Sequence, residues 1–144
     1  MKKIAVVDGL GGGLGAQIVS QLKAELGGRV EIYALGTNAN ATERMVRAGA
    51  DRGATGENAI RVSIDTVDFI VAPIGVIIPD AMMGEITPRI ARSVFRSRGE
   101  KILVPLVQQH FTIAGFDPKP IATLISQAVE LVKMKLDPLD AGSS

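Results

Sequence analysis

Five glycines stand among the seven residues from Gly9 to Gly15, directly behind the apolar run Ile4-Ala5-Val6-Val7 and the acidic Asp8. Beyond them Ile18, Val19, Leu22 and Leu26 recur at the spacing that shares one helix face. A strand, a glycine loop and a helix, in that order, form the phosphate-binding opening of a Rossmann-type α/β unit. Glycine matters there because a backbone without Cβ turns sharply with φ > 0 and lets a pyrophosphate approach the main chain. The free N–H groups and the positive dipole end of the helix then hold the anion. The pattern points to a ligand class and leaves the reaction open.

The rest of the chain alternates strand and helix signals, which predicts a parallel sheet covered on both faces. Strands are expected at residues 3–7, 30–35, 52–54, 68–72 and 102–107, with a sixth at 111–114 attached as an edge. The first helix is expected over 14–26, stopped by Gly27-Gly28, and a second, capped by Asn40 or Thr42, runs to Ala48. A brief third occupies 57–63 behind Thr55-Gly56, and a fourth runs from the Thr87-Pro88 cap to about Ser97. The last starts at Asp117-Pro118 and carries Ile121, Leu124, Ile125, Ala128, Leu131 and Val132 on one face. The expected fold class is α/β: one three-layer Rossmann-like domain over residues 1–135, with a mainly parallel sheet of five or six strands. Residues 136–144 read as a flexible tail.

Composition removes several chemistries. With no cysteine there is no disulfide, thiolate nucleophile or cysteine metal site, and the single His110 leaves no histidine cluster for zinc or iron. No metal site is therefore expected. The net charge of +1 gives no general electrostatic case for nucleic acid or an anionic membrane. Four phenylalanines and one tyrosine are too few for base or sugar stacking to dominate recognition. Met1-Lys2-Lys3 precedes only a short apolar stretch ending at Asp8, too short for a signal-peptide core or a membrane span, so a cytoplasmic protein is expected.

The glycine loop fits two templates: Gly11-x-Gly13-x-x-Ala16 matches the dinucleotide fingerprint, and Gly9-x-x-x-Gly13-x-Gly15 the spacing of short-chain dehydrogenases. The latter need Tyr-x-x-x-Lys, but the one tyrosine, Tyr33, is followed four residues on by Thr37, which excludes that mechanism. No Gly-Lys-Ser/Thr follows the glycines, which excludes a phosphate-loop NTPase. The acidic residue that would end the second strand and take a ribose diol is also missing. In its place stand Gly36-Thr37-Asn38, with Arg44 further on. Hydroxyl and amide groups beside an arginine suit a phosphate better than a diol, which favours NADP or a mononucleotide over NAD; the alternative is a polar strand-to-helix loop.

Asp8, at the carboxyl edge of the sheet, either meets a ligand through a metal or a ribose hydroxyl, or accepts N–H bonds from the glycine loop in an Asx-type turn; the second reading is preferred. The apolar loop at residues 72–84 must cover a ligand, another subunit or its own sheet. Arg89, Arg92 and Arg96, with Arg98 nearby, read as a solvated helix face, and His110 as a surface residue at the end of the fifth strand.

Five motifs in order complete a resemblance. They are Asp8-Gly9-x-Gly11-Gly12-Gly13-x-Gly15, Ala34-Leu35-Gly36-Thr37-Asn38, Gly53-Ala54-Thr55-Gly56-Glu57-Asn58-Ala59, Pro73-Ile74-Gly75 and Gly84-Glu85-Ile86-Thr87-Pro88. Over roughly residues 1–116 the chain resembles a group of small bacterial proteins catalogued as domain of unknown function thirty-eight forty-two. The resemblance implies a single Rossmann-like domain and carries no activity with it. In such a sheet the loops after the first four strands emerge at one edge, so they are expected to converge on one crevice. That crevice would hold a nucleotide or other phosphorylated small molecule on Gly9, Gly11, Gly12, Gly13, Gly15, Gly36, Thr37, Asn38, Thr55 and Gly75. Asp8 and Glu57 are the candidate catalytic carboxylates, working with a divalent cation in an enzymatic version of the site. A homo-oligomer is expected as well. The competing expectation is a non-enzymatic oligomeric assembly or regulatory module, held by residues 76–83, in which the glycine loop is only structural.

Overall fold

The computed structural model describes residues 1–106 and 111–137. Strands β1 (Lys2–Asp8), β2 (Val30–Gly36), β3 (Arg52–Thr55), β4 (Phe69–Pro73) and β5 (Glu100–Val104) form one sheet in the order β3-β2-β1-β4-β5, and every pairing is parallel. The chain reverses its direction of travel across the sheet between β1 and β4. That is where an open α/β sheet leaves a crevice at the carboxyl ends of its strands.

Helices α1 (Gly13–Leu26), α2 (Ala39–Arg47) and α5 (Ile121–Leu136) cover one face; α3 (Glu57–Ile64) and α4 (Pro88–Arg96) cover the other. The alternation of side chains along β1 shows the two layers. Ile4 and Val6 pack with Ile18, Leu22, Met45 and Val129, whereas Ala5 and Val7 pack with Ile60, Ile64, Ile90 and Val94. Both faces of β1 are buried, so its apolar run has no polar interruptions before Asp8. No helix among the described residues is long and apolar enough to cross a membrane.

Local chemistry sets the ends of these elements. Thr87 caps α4 by accepting the Ile90 amide, with Pro88 at the first helical position as expected. Helix α2 starts earlier than expected: Asn38, rather than Asn40 or Thr42, accepts the Ala41 amide, while Thr42 is buried and donates to the Asn38 and Ala54 carbonyls. The last helix starts at Ile121 and not at Asp117-Pro118, because Pro120 keeps Lys119 out of the helical region. Leu136, expected to open the tail, closes that helix.

The sheet has five strands among the described residues. The sixth expected at 111–114 does not form; Phe111 and Ile113 are exposed and Ala114-Gly115 is a turn with Gly115 at φ 81. Strand β5 closes at Val104, and residues 107–110, including His110, lie outside the described residues, as do 138–144.

Candidate functional site

Helix α1 begins behind Gly12, which has φ 72 and no side chain to cap the helix. Asp8 supplies the missing cap from the end of β1. Its Oδ2 accepts the Gly15 amide at 2.7 Å, the bond an N-cap side chain would ordinarily make, and its Oδ1 accepts the Gly9 amide at 2.8 Å. The carboxylate is only 5% exposed. Burial pushes its pKa above the ordinary aspartate value, and the negative charge of Glu85 adds to that; the two amides pull the other way. Asp8 thus makes the Asx-type contacts of the preferred reading.

The capping leaves other amides free. The N–H groups of Gly11, Gly13 and Leu14 have no acceptor among the described residues, and all three residues line a cavity of about 360 Å³ at the crevice. Pro73 and Gly75 from the end of β4, together with Ala81, Met82 and Leu106, make its apolar walls. Arg44 reaches over from α2 and donates to the Gly11 carbonyl at 3.3 Å.

The glycines of the loop divide by what surrounds them. A Cβ on Gly12 would lie 2.7 Å from the Ala41 Cα, and one on Gly15 would lie 2.6 Å from the Met45 sulfur and 2.8 Å from the Asp8 Cβ. Those two are dictated by packing. At Gly11 and Gly13 a Cβ would meet nothing nearer than the Arg44 guanidinium, at 3.9 and 3.4 Å. The fold itself does not require glycine at these two positions.

The remaining candidates do not all meet at this cavity. Gly36 faces inward, where a Cβ would collide with the Thr42 hydroxyl, and Thr55 donates to Thr42 at 2.8 Å beside it. Glu57 opens α3, accepts the Thr87 hydroxyl and lies 3.9 Å from Arg89, so it ties α3 to α4. Asp8 and Glu57 therefore belong to separate clusters. Among the described residues no three His, Cys, Asp or Glu side chains gather into a metal-sized group. The apolar loop lies mostly against its own molecule: Val76 and Ile86 are buried, Ala81 and Met82 line the cavity, and Met83 is 95% exposed.

Glu85 was not among the residues singled out by pattern. Its Oε1 accepts three hydrogen bonds, from the Leu10 amide at 2.9 Å, the Asn38 side chain at 2.8 Å and the Thr37 hydroxyl at 2.5 Å. The Thr37 hydroxyl and the Leu10 amide hold its pKa below the ordinary glutamate range, with Asn38 assisting. A carboxylate does stand at the end of β2, but it is contributed by the loop behind β4. The only trace in the sequence is the motif Gly84-Glu85; no spacing rule links it to Leu10, 75 positions away.

Apo histidine-tagged saccharopine dehydrogenase (L-Glu forming) from Saccharomyces cerevisiae is similar to this chain at 15% identity and TM-score 0.49; the match spans 76% of this chain and 23% of that one. The dodecameric FMN-dependent Ubix-like decarboxylase from Escherichia coli O157:H7 is similar at 18% identity and TM-score 0.47, over 90% of this chain and 75% of that one. At these values the likeness is one of fold alone. No curated protein matches the sequence. The model of the family described as Domain of unknown function (DUF3842) matches residues 3–137, including the closing helix that carries none of the five motifs, and the chain belongs to that family.

Proposed function

We propose that the crevice binds a nucleotide or other phosphorylated small molecule, with its phosphate on the amides of Gly11, Gly13 and Leu14. One observation carries the reading: three residues whose amides have no acceptor among the described residues line a single cavity at the start of a 14-residue helix, in a loop where packing does not demand glycine at two positions. Helix dipole and amides attract the anion, and Arg44 is within reach to add a guanidinium.

A thermal-shift series against phosphorylated compounds, each with and without magnesium, tests the reading. A ligand at a hundred times its dissociation constant adds about 2.7 kcal/mol to stability. The expected result is a raised melting temperature that is lost in Gly13→Val and indifferent to magnesium. Absence of any shift in folded protein overturns it.

A second reading, a non-enzymatic assembly module, draws on the exposed Met83 and on the exposed Leu131 and Met134 of α5. It predicts a stable oligomer by sedimentation that Met83→Lys or Leu131→Lys dissociates, in protein indifferent to phosphates.

A further inference from the structure

The crevice has two sides, and the molecule treats them differently. Toward β4 and β5 lies the cavity, with free amides at one end and Leu14, Pro73, Ala81, Met82 and Leu106 around the rest. Toward β2, where an open α/β sheet would seat the nucleoside of a dinucleotide, the polar groups are already engaged. The Leu10 amide, the Thr37 hydroxyl and the Asn38 amide group all donate to one oxygen of Glu85.

Glu85 is carried there by an unusual piece of backbone. Met82, Met83 and Gly84 are consecutively left-handed, at φ 57, 57 and 90, and Asp80 before them is at φ 68. Residues with side chains rarely adopt that region, and such turns persist only where the surroundings hold them. Here the Asp80 amide donates to the Ile86 carbonyl at 2.7 Å, the Ile86 amide to Ala81 at 3.1 Å, and Ile86 is fully buried. The anchored turn places the Glu85 carboxylate against Gly9, where even a Cβ would lie 3.1 Å from Oε1.

We propose that Glu85 is the specificity-determining residue of the site. Its carboxylate closes the β2 side, so the crevice takes a compact phosphomonoester with an apolar body and refuses a dinucleotide. This rests on the phosphate reading above. A dinucleotide spans both sides of the switch point, and here its nucleoside would have to displace an ionised carboxylate from three donors. A 2′-phosphate would in addition meet the negative charge of Glu85. A cavity of about 360 Å³ with an apolar wall suits a single phosphorylated group of modest size.

Isothermal titration of the full chain with phenyl phosphate, glycerol phosphate, inorganic phosphate and NADP tests the proposal. In the unaltered protein, phenyl phosphate is expected to bind at least tenfold tighter than glycerol phosphate, with NADP weaker than both. Glu85→Ala is expected to raise NADP affinity relative to phenyl phosphate at least tenfold. Glu85→Gln, whose neutral amide oxygen accepts the same donors more weakly, should give a smaller gain and serves if the alanine variant does not fold. NADP binding to the unaltered protein as tightly as phenyl phosphate would overturn the proposal and leave the phosphate site standing. So would an unchanged NADP-to-phenyl phosphate ratio in both variants. If none of the four probes binds, the phosphate reading and this inference fail together.

Discussion

Asp8 and the glycines around it show how much of the site depends on single atoms. Asp8 caps a helix that has no capping residue of its own, so Asp8→Ala leaves the Gly9 and Gly15 amides without an acceptor beneath the loop. The expected loss is about 2 kcal/mol, the scale of a lost cap plus a buried unsatisfied donor, read as a lower urea midpoint at unchanged slope. The glycines separate along the same line. Gly12→Ala must hold φ 72 with its Cβ against the Ala41 backbone and is expected to cost roughly 2–4 kcal/mol. Gly13→Ala meets only the exposed Arg44 side chain and is expected to stay within about 0.5 kcal/mol of the unaltered protein. Equal destabilisation by the two would contradict the division between packing glycines and site glycines.

At the scale of elements, what the chain declares locally was legible. The strands around the buried centre, the glycine stop after α1 and the Thr87-Pro88 start of α4 depend on neighbours in sequence, and they stand within a residue or two of expectation. The misplacements arise where local signals compete. Asn38, Asn40 and Thr42 are all able to cap a helix, and which one does depends on Thr42 being needed inside, against Ala54 and Thr55. Two prolines near the last helix offer two starts, and Pro120 decides because it forbids helix at Lys119. The loop between β4 and α4 contributes a pH dependence of its own. Glu85 has a folded-state pKa below the ordinary glutamate value of 4.5, so its contribution to stability is present above that pH. It is lost as pH falls through the lower, folded-state value. Asp8 runs the other way: its raised folded-state pKa makes the native state the stronger proton binder above 3.8, so its contribution declines as pH rises through that window. Urea midpoints of the unaltered protein and Glu85→Gln should therefore differ at pH 6 and converge progressively as pH falls below 4.5. A gap that stays constant would show that the Glu85 contacts do not depend on its charge.

At the scale of the whole molecule, the fold class was readable because alternating strands and helices with a buried central strand leave few arrangements. The glycine loop was readable because its residues are contiguous. Glu85 was not, because it acts through chain crossing the crevice from the far side of the switch point, and Leu10, Thr37 and Asn38 lie 75, 48 and 47 positions away. Convergence at one edge did not bring every candidate residue to one cavity. Thr55 and Glu57 do emerge at the strand ends, yet they are spent on Thr42 and Thr87, and the cavity belongs to β1 and β4.

The most direct measurement is an amide-resolved NMR titration of the full chain with inorganic phosphate. The Gly11, Gly13 and Leu14 resonances should move together and saturate with one dissociation constant, while Gly9 and Gly15, already bonded to Asp8, move least within the loop. Resonances of the loop that stay still at saturating phosphate, or movement confined to the arginine face of α4, would contradict a phosphate site on the glycine loop.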